Sequence, residues 1–229
     1  MAHGVKVMAE FYINPYGGKS GVTIDTEDAY GDIDIFNDLL EEKIAGRFEE
    51  YSVDLVDGDT EEVAMWEAAS TAKGPDYSGL ALFVEAMDQE DYLRPGIFYA
   101  LNGYASSDID EAKDYAEEGG VREGTLKDLA YEFVDEGIID TENYFDYDAF
   151  AYALEVNGEL PEEAYDEDTG EQLWDEEEVR DYAEQLVDDI GASEIGGDYV
   201  DYDKVARDLG FDYDQFTYDG ETYTIRTSQ

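Results

Sequence analysis

Residues 144–154 read Tyr-Phe-Asp-Tyr-Asp-Ala-Phe-Ala-Tyr-Ala-Leu, and residues 199–209 read Tyr-Val-Asp-Tyr-Asp-Lys-Val-Ala-Arg-Asp-Leu. Six positions are identical: Tyr144/Tyr199, Asp146/Asp201, Tyr147/Tyr202, Asp148/Asp203, Ala151/Ala206 and Leu154/Leu209. A similar amphipathic stretch precedes each copy, over 126–136 and 179–189. In it Ala130, Val134 and Asp135 match Ala183, Val187 and Asp188. The distance from stretch to motif differs by two residues, as a loop insertion allows.

The physical reading is a helix, a loop, and a short second helix capped by Asp146 or Asp201. A carboxylate placed just before a helix accepts from the unpaired N–H groups of its first turn. Phe150 and Leu154, or Val205 and Leu209 in the second copy, then share one helix face at i, i+4 and look into a common core. Two copies predict duplication of one small helical module. Tyr147 and Tyr202 are expected to pack against the helix that precedes each of them. Tyr144, Asp146, Tyr147, Leu154, Tyr199, Asp201, Tyr202 and Leu209 are therefore structural residues of the motif. Beyond the second copy, 215–218 and 223–226 flank Asp219-Gly220, a two-residue hairpin signal.

Towards the N-terminus the pattern is mixed. Val5, Val7, Ala9 and Phe11 alternate with Lys6, Met8 and Glu10 as an opening strand, and Asn14-Pro15-Tyr16-Gly17-Gly18 is turn chemistry. Ile35, Phe36, Leu39, Leu40, Ile44 and Phe48 recur at helical spacing behind Asp32 or Asp34. Tyr51, Val53 and Leu55 predict a half-buried strand ending at Asp57-Gly58-Asp59. A helix follows over 61–72 and stops at Lys73-Gly74-Pro75, which reads as a domain boundary. Leu80, Leu82, Phe83 and Met87 predict another, broken near Arg94-Pro95-Gly96. Ser106 or Ser107 is placed to cap a helix over 108–118. The expected fold class is α+β: an elongated chain of small mixed and mainly helical domains, acidic along one face. The expected divisions are an N-terminal α/β domain (1–74), a middle helical segment (75–122), a first repeat module (123–170), and a second repeat module with the closing β-hairpin (171–229).

Charge narrows the function. The chain has 62 Asp and Glu against 13 Lys and Arg, a net charge of −49 over 229 residues. Residues 1–100 carry −16 and residues 101–229 carry −33. Duplex DNA carries one charge per ~1.7 Å of axis, so 49 charges equal roughly 80 Å of duplex. A compact globule of this mass exposes ~10,000 Å², about one net charge per 200 Å². Disordered acidic tails lack buriable residues, whereas 43% of this chain is hydrophobic and 20 residues are Tyr. Such acidity fits a basic protein surface, metal cations or high-salt solvent, and repels nucleic acids and anionic membranes. With no Cys there are no disulfides or thiolate sites. No apolar run nears 18 residues and no basic-then-apolar start is present, so a cytoplasmic protein without a membrane span is expected.

The segment 198–210, Asp-Tyr-Val-Asp-Tyr-Asp-Lys-Val-Ala-Arg-Asp-Leu-Gly, follows an acidic helix and precedes a closing hairpin. It resembles the C-terminal domain of the ArdA antirestriction proteins, which ends in a similar Tyr-Ile-Asp-Tyr, aromatic, Ala/Gly-Arg-Asp-Leu pattern. Residues 144–158 resemble the same pattern. The match covers about 35 residues of each copy. Phe11-Tyr12-Ile13 and Glu49-Glu50-Tyr51-Ser52-Val53 are faintly like the family's opening domain. The resemblance implies an elongated, multi-domain, dimeric DNA mimic of a phage or mobile element. Such a protein occupies the DNA-binding groove of type I restriction–modification enzymes. The chain departs from the family in length and in its second motif copy.

Candidate phosphate mimics are the acids expected to face outward: Asp135, Glu136, Asp140 and Glu142 in one module, and Glu176, Glu177, Glu178, Asp181, Glu184, Asp188 and Asp189 in the other. Asp181, Glu184 and Asp188 fall on one helix face, rising 1.5 Å per residue. Residues 166–177 imitate an EF-hand, but Gly170 stands at the fifth position, where a ligand oxygen belongs. No phosphate loop, nucleophile elbow or His-rich zinc pattern occurs. Neither cofactor nor metal nor enzymatic activity is expected. The alternatives are an acidic protein adapted to high salt, or an acidic mimic or chaperone of another basic DNA-binding protein. A homodimer is expected, with the C-terminal hairpin edge as a candidate seam.

Overall fold

Phe11 and Ile13 are buried while Tyr12 and Asn14 between them are not, the period of two that one-sided burial imposes on a strand. In this computed structural model the described residues are 9–16, 20–26, 35, 38, 42, 43, 51–104 and 106–227. The helix predicted over 35–48 lies largely outside them, as do Val5, Val7 and Gly17-Gly18 of the predicted strand and turn. The fold is α+β.

The chain divides into two compact units, 1–125 together with 212–229, and 126–211. In the first, β1 (Glu10–Pro15) is the centre of an antiparallel sheet between β2 (Val22–Asp25) and β3 (Tyr51–Asp57). Asn14 and Pro15, predicted as turn, belong to β1 and pair with Ser52 and Tyr51. The helix α1 (Thr60–Lys73) opens with a capping box in which Asp59 and Glu62 satisfy each other's backbone N–H. Then come α2 (Tyr77–Met87), α3 (Arg94–Tyr99) and α4 (Ile109–Gly119).

Two predicted punctuation marks read differently. Arg94-Pro95-Gly96 does not merely break a helix. It starts α3, because proline at the first positions of a helix gives up no hydrogen bond. The cap of α4 is Asp108, whose carboxylate accepts from Asp110 and Glu111. Ser106 instead turns its hydroxyl to the Asp108 N–H, 2.9 Å away.

The division expected at residue 74 falls inside one core. Met65, Trp66 and Ala69 of α1 pack with Leu80, Phe83 and Val84 of α2, and with Phe11 below. At Gly79 an added Cβ would stand 2.0 Å from the Gly74 carbonyl oxygen, so the two helices approach too closely for any larger residue.

The closing hairpin is misassigned by the expected module 171–229. Its strands β5 (Tyr213–Tyr218) and β6 (Glu221–Arg226) turn through Asp219 (φ 49°) and Gly220 (φ 81°), the conformation that the Asp-Gly pair predicts. They form a sheet with β4 (Arg122–Glu123) in the order β4-β6-β5, and so belong to the first unit. Tyr218 is buried and donates to Glu61 of α1 at 3.0 Å, and Glu61 meets Arg94 of α3 at 3.3 Å.

The second unit holds the repeat. The first copy supplies α5 (Leu126–Asp135), a 3-10 turn (Thr141–Tyr144) and α6 (Tyr147–Asn157). The second supplies α7 (Glu176–Ile190), the short α8 (Ala192–Ile195), a 3-10 turn (Gly197–Tyr199) and α9 (Tyr202–Leu209). Asp146 caps α6 through Ala149 N–H, and Asp201 caps α9 through Lys204 N–H, both at 2.9 Å. The motif reading holds at both caps.

The modules are not separate, however, so the division expected at residue 170 fails. The two motif copies lie antiparallel, with Phe145 bridged to Val200. Asp146 N–H donates to the Tyr199 carbonyl (2.6 Å), and Asp201 N–H donates to the Tyr144 carbonyl (2.8 Å). The two bonds exchange equivalent atoms, as a local two-fold would. Packing crosses accordingly. Phe150 and Leu154 of α6 share a core with Val179, Ala183 and Val187 of α7. Val205 and Leu209 of α9 share another with Ala130 and Val134 of α5. Each motif helix packs on the helix that precedes the other copy. Tyr147 lies with the α7 core, and the Tyr202 ring lies tilted against Tyr131 of α5, centroids 4.0 Å apart, the reverse of the expected pairing. Tyr144 and Tyr199 are exchanged in the same way.

Candidate functional site

The second unit carries 29 acids and four bases in 86 residues, a net charge of −25, against −24 over the 143 residues of the first. All four bases are engaged within the unit. Lys127 of α5 meets Asp203 of α9 at 2.6 Å, and Arg180 of α7 meets Asp148 of α6 at 3.1 Å. Lys204 donates to the Asn143 carbonyl at 2.7 Å, and Arg207 lies 3.4 Å from Asp208. The first two pairs are equivalents under the repeat. Lys127 stands where Arg180 does, three residues before Ala130 and Ala183, and Asp148 matches Asp203. Both pairs tie one copy to the other.

All eleven candidate carboxylates are exposed. Three have local work. Asp140 caps its 3-10 turn through Glu142 N–H, and Glu178 completes a capping box with Asp175. Glu184 accepts from Arg180 at 3.1 Å, so the expected row of Asp181, Glu184 and Asp188 is partly neutralised at its middle. Glu176 and Glu177 lie in the first turn of α7, where the positive end of the helix dipole favours them.

Asp188 and Asp189 occupy the last turn of α7, and Asp135 that of α5; neither turn holds a base. A helix C-terminus carries partial negative charge, so acids there oppose the fold. The repeat puts an acid at this unfavourable place twice, at Asp135 and Asp188. Each influences a motif tyrosine of the other copy. Burial raises the Tyr147 hydroxyl pKa and Asp188 adds to it; burial raises that of Tyr202, with Tyr131, Asp198 and Asp135 adding.

The EF-hand-like loop closes on itself. The Asp166 carboxylate accepts from Thr169 N–H (2.7 Å), the Thr169 hydroxyl (2.9 Å) and Asp168 N–H (3.0 Å), bonds that hold its pKa below the usual carboxylate value. Among the described residues no group of three or more His, Asp or Glu is placed to hold a metal ion. No described helix is long and apolar enough to cross a membrane.

No family model, curated protein or solved structure matches this chain. The functional reading therefore rests on the residues themselves. What reading the repeat alone misses is the crossing. The alignment puts opposite charges in corresponding positions of both copies, Lys127 with Arg180 and Asp148 with Asp203, but does not say whether they pair within a copy or across.

Proposed function

We propose that this chain is a DNA mimic, a non-enzymatic inhibitor that occupies the DNA-binding groove of a basic protein. The resemblance to ArdA names type I restriction–modification enzymes as the target class and a phage or mobile element as the source. The observation that supports it is the placement of Asp135, Asp188 and Asp189 in last helical turns that hold no base. Acids placed where the fold disfavours them have a use outside the fold. Carboxylates take the place of phosphates, and binding releases the counterions of both surfaces. Association is therefore fast and weakens as salt rises. The energy is spread over many weak contacts.

A second reading is adaptation to high salt, favoured by the −24 that the first unit also carries. Competition separates the two. Purified protein displaces duplex DNA from a type I methyltransferase core at near-physiological salt and loses that ability at molar salt. Absence of displacement, with folding only in molar salt, would overturn the proposal in favour of salt adaptation.

A further inference from the structure

We infer that the outer face of α6 is a docking surface for an amphipathic basic helix of a partner protein, one whose apolar stripe is flanked by Lys or Arg. The inference does not rest on DNA mimicry, and a chain that fails to displace DNA still answers its test either way. Along α6, Phe150, Ala151 and Leu154 are buried in the core that it shares with α7. On the opposite side Ala149, Tyr152 and Val156 recur at i, i+3 and i+7, all exposed. Tyr152 is 67% exposed and Val156 63%. The helix is thus apolar on both sides, a pattern that belongs to helices covered on both. Its only charged residues are Asp148 and Glu155, in a chain with 62 acids.

The repeat supplies an internal comparison. Lys204, Arg207 and Phe211 stand in the second copy where Ala149, Tyr152 and Val156 stand in the first. Both of those cations are engaged within the unit, Lys204 with the Asn143 carbonyl and Arg207 with Asp208. Pairing of the copies does not call for the apolar face, since α9 packs on α5 with charge in its place.

Beside the face, a groove of about 310 Å³ runs between α6 and α7, with Tyr152 and Glu155 on one wall and Glu176, Val179 and Arg180 on the other. Arg180 is held by Asp148 and Glu184. Among the described residues no ion pair engages Glu155 or Glu176. An apolar strip bordered by unpaired carboxylates is complementary to an apolar stripe bordered by cations. A helix laid along it covers Tyr152 and Val156. Its Lys or Arg side chains reach Glu155, Glu176 and the face of the Tyr152 ring.

The probe is a synthetic peptide of about 18 residues, long enough to cover α6, with Leu at i, i+3, i+4 and i+7 and Lys on its flanks. A second peptide of the same composition is scrambled so that no stripe forms. Both are titrated into the full-length chain at near-physiological and at molar salt, with backbone amide shifts followed by NMR. Attraction to the −49 chain is common to both peptides, so the ratio of their affinities reports the apolar contact. The striped peptide should bind roughly tenfold more tightly, keep that advantage in molar salt, and shift amides over 149–156.

Tyr152→Arg with Ala153→Asp places on α6 the residues of α9 and leaves the net charge unchanged. It should bring the ratio down to about one. Val156→Ser, at an exposed position, should lower the ratio on its own and serves if the double variant loses its helices. Equal affinities of the native chain for the two peptides, or shifts confined to other elements, would overturn the inference. So would a doubled mass in light scattering that the double substitution abolishes, because a second copy would then occupy the face.

Discussion

Arg94 in the first unit and Arg180 in the second each meet two carboxylates, yet they do different work. The Arg94 side chain is 4% exposed, held by Glu61 and Asp91 and donating to the Gln89 carbonyl. That of Arg180 is 48% exposed, between Asp148 and Glu184. In the first unit this one cluster of charge is a buried part of the architecture. There Glu61 accepts from Tyr218, and burial, reinforced by the Glu61 charge, holds the Tyr218 hydroxyl well above the ordinary tyrosine range. In the second unit the Arg180 pairs lie at the surface, outside the apolar cores. The difference teaches that an arginine–carboxylate cluster can be built into a core, as at Arg94, or tie two surface helices together, as at Arg180.

The largest expected effect sharpens that contrast. Arg94→Ala leaves Glu61 partly buried without its cation, which costs roughly 3–5 kcal/mol. Arg180→Ala, at an exposed pair, costs less than about 1 kcal/mol. Native-state hydrogen exchange should show protection lost over 51–104 in the first variant while 126–211 is unchanged. Equal losses from the two substitutions would break the comparison.

A smaller effect probes the symmetry of the second unit. Asp146→Ala and Asp201→Ala each remove one helix cap and should each cost about 1 kcal/mol, within ~0.5–2. Both should loosen the same stretch, 126–211, because the bridge ties the copies together. Exchange protection lost from only one copy in each variant would mean that the copies unfold separately.

Much of this was legible in the sequence. Asp146 and Asp201 announced their helices, Asp219-Gly220 its hairpin, and Gly74 the end of α1, since these depend on neighbours a few residues away. Pairing across long separations was not legible. Nothing local tells Tyr147 to lie with α7 rather than α5, because Ala130 and Ala183 offer it the same surface. The hairpin follows the second motif directly but pairs with Arg122 and Glu123, a partner that two residues of strand cannot advertise. Of the candidate surface, exposure followed from composition. The distinction between acids that cap and acids that oppose their helix needed the observed helix ends.

The most direct measurement follows Asp135→Asn, Asp188→Asn and Asp189→Asn together, scoring stability and DNA displacement in the same preparation. Removing a carboxylate from a helix C-terminus should stabilise the second unit by ~0.3–1 kcal/mol at each position. The account predicts a raised Tm, weaker displacement of duplex DNA from the methyltransferase core, and a shallower dependence on salt. A raised Tm with displacement unchanged would contradict it, because those acids would then serve neither the fold nor the partner.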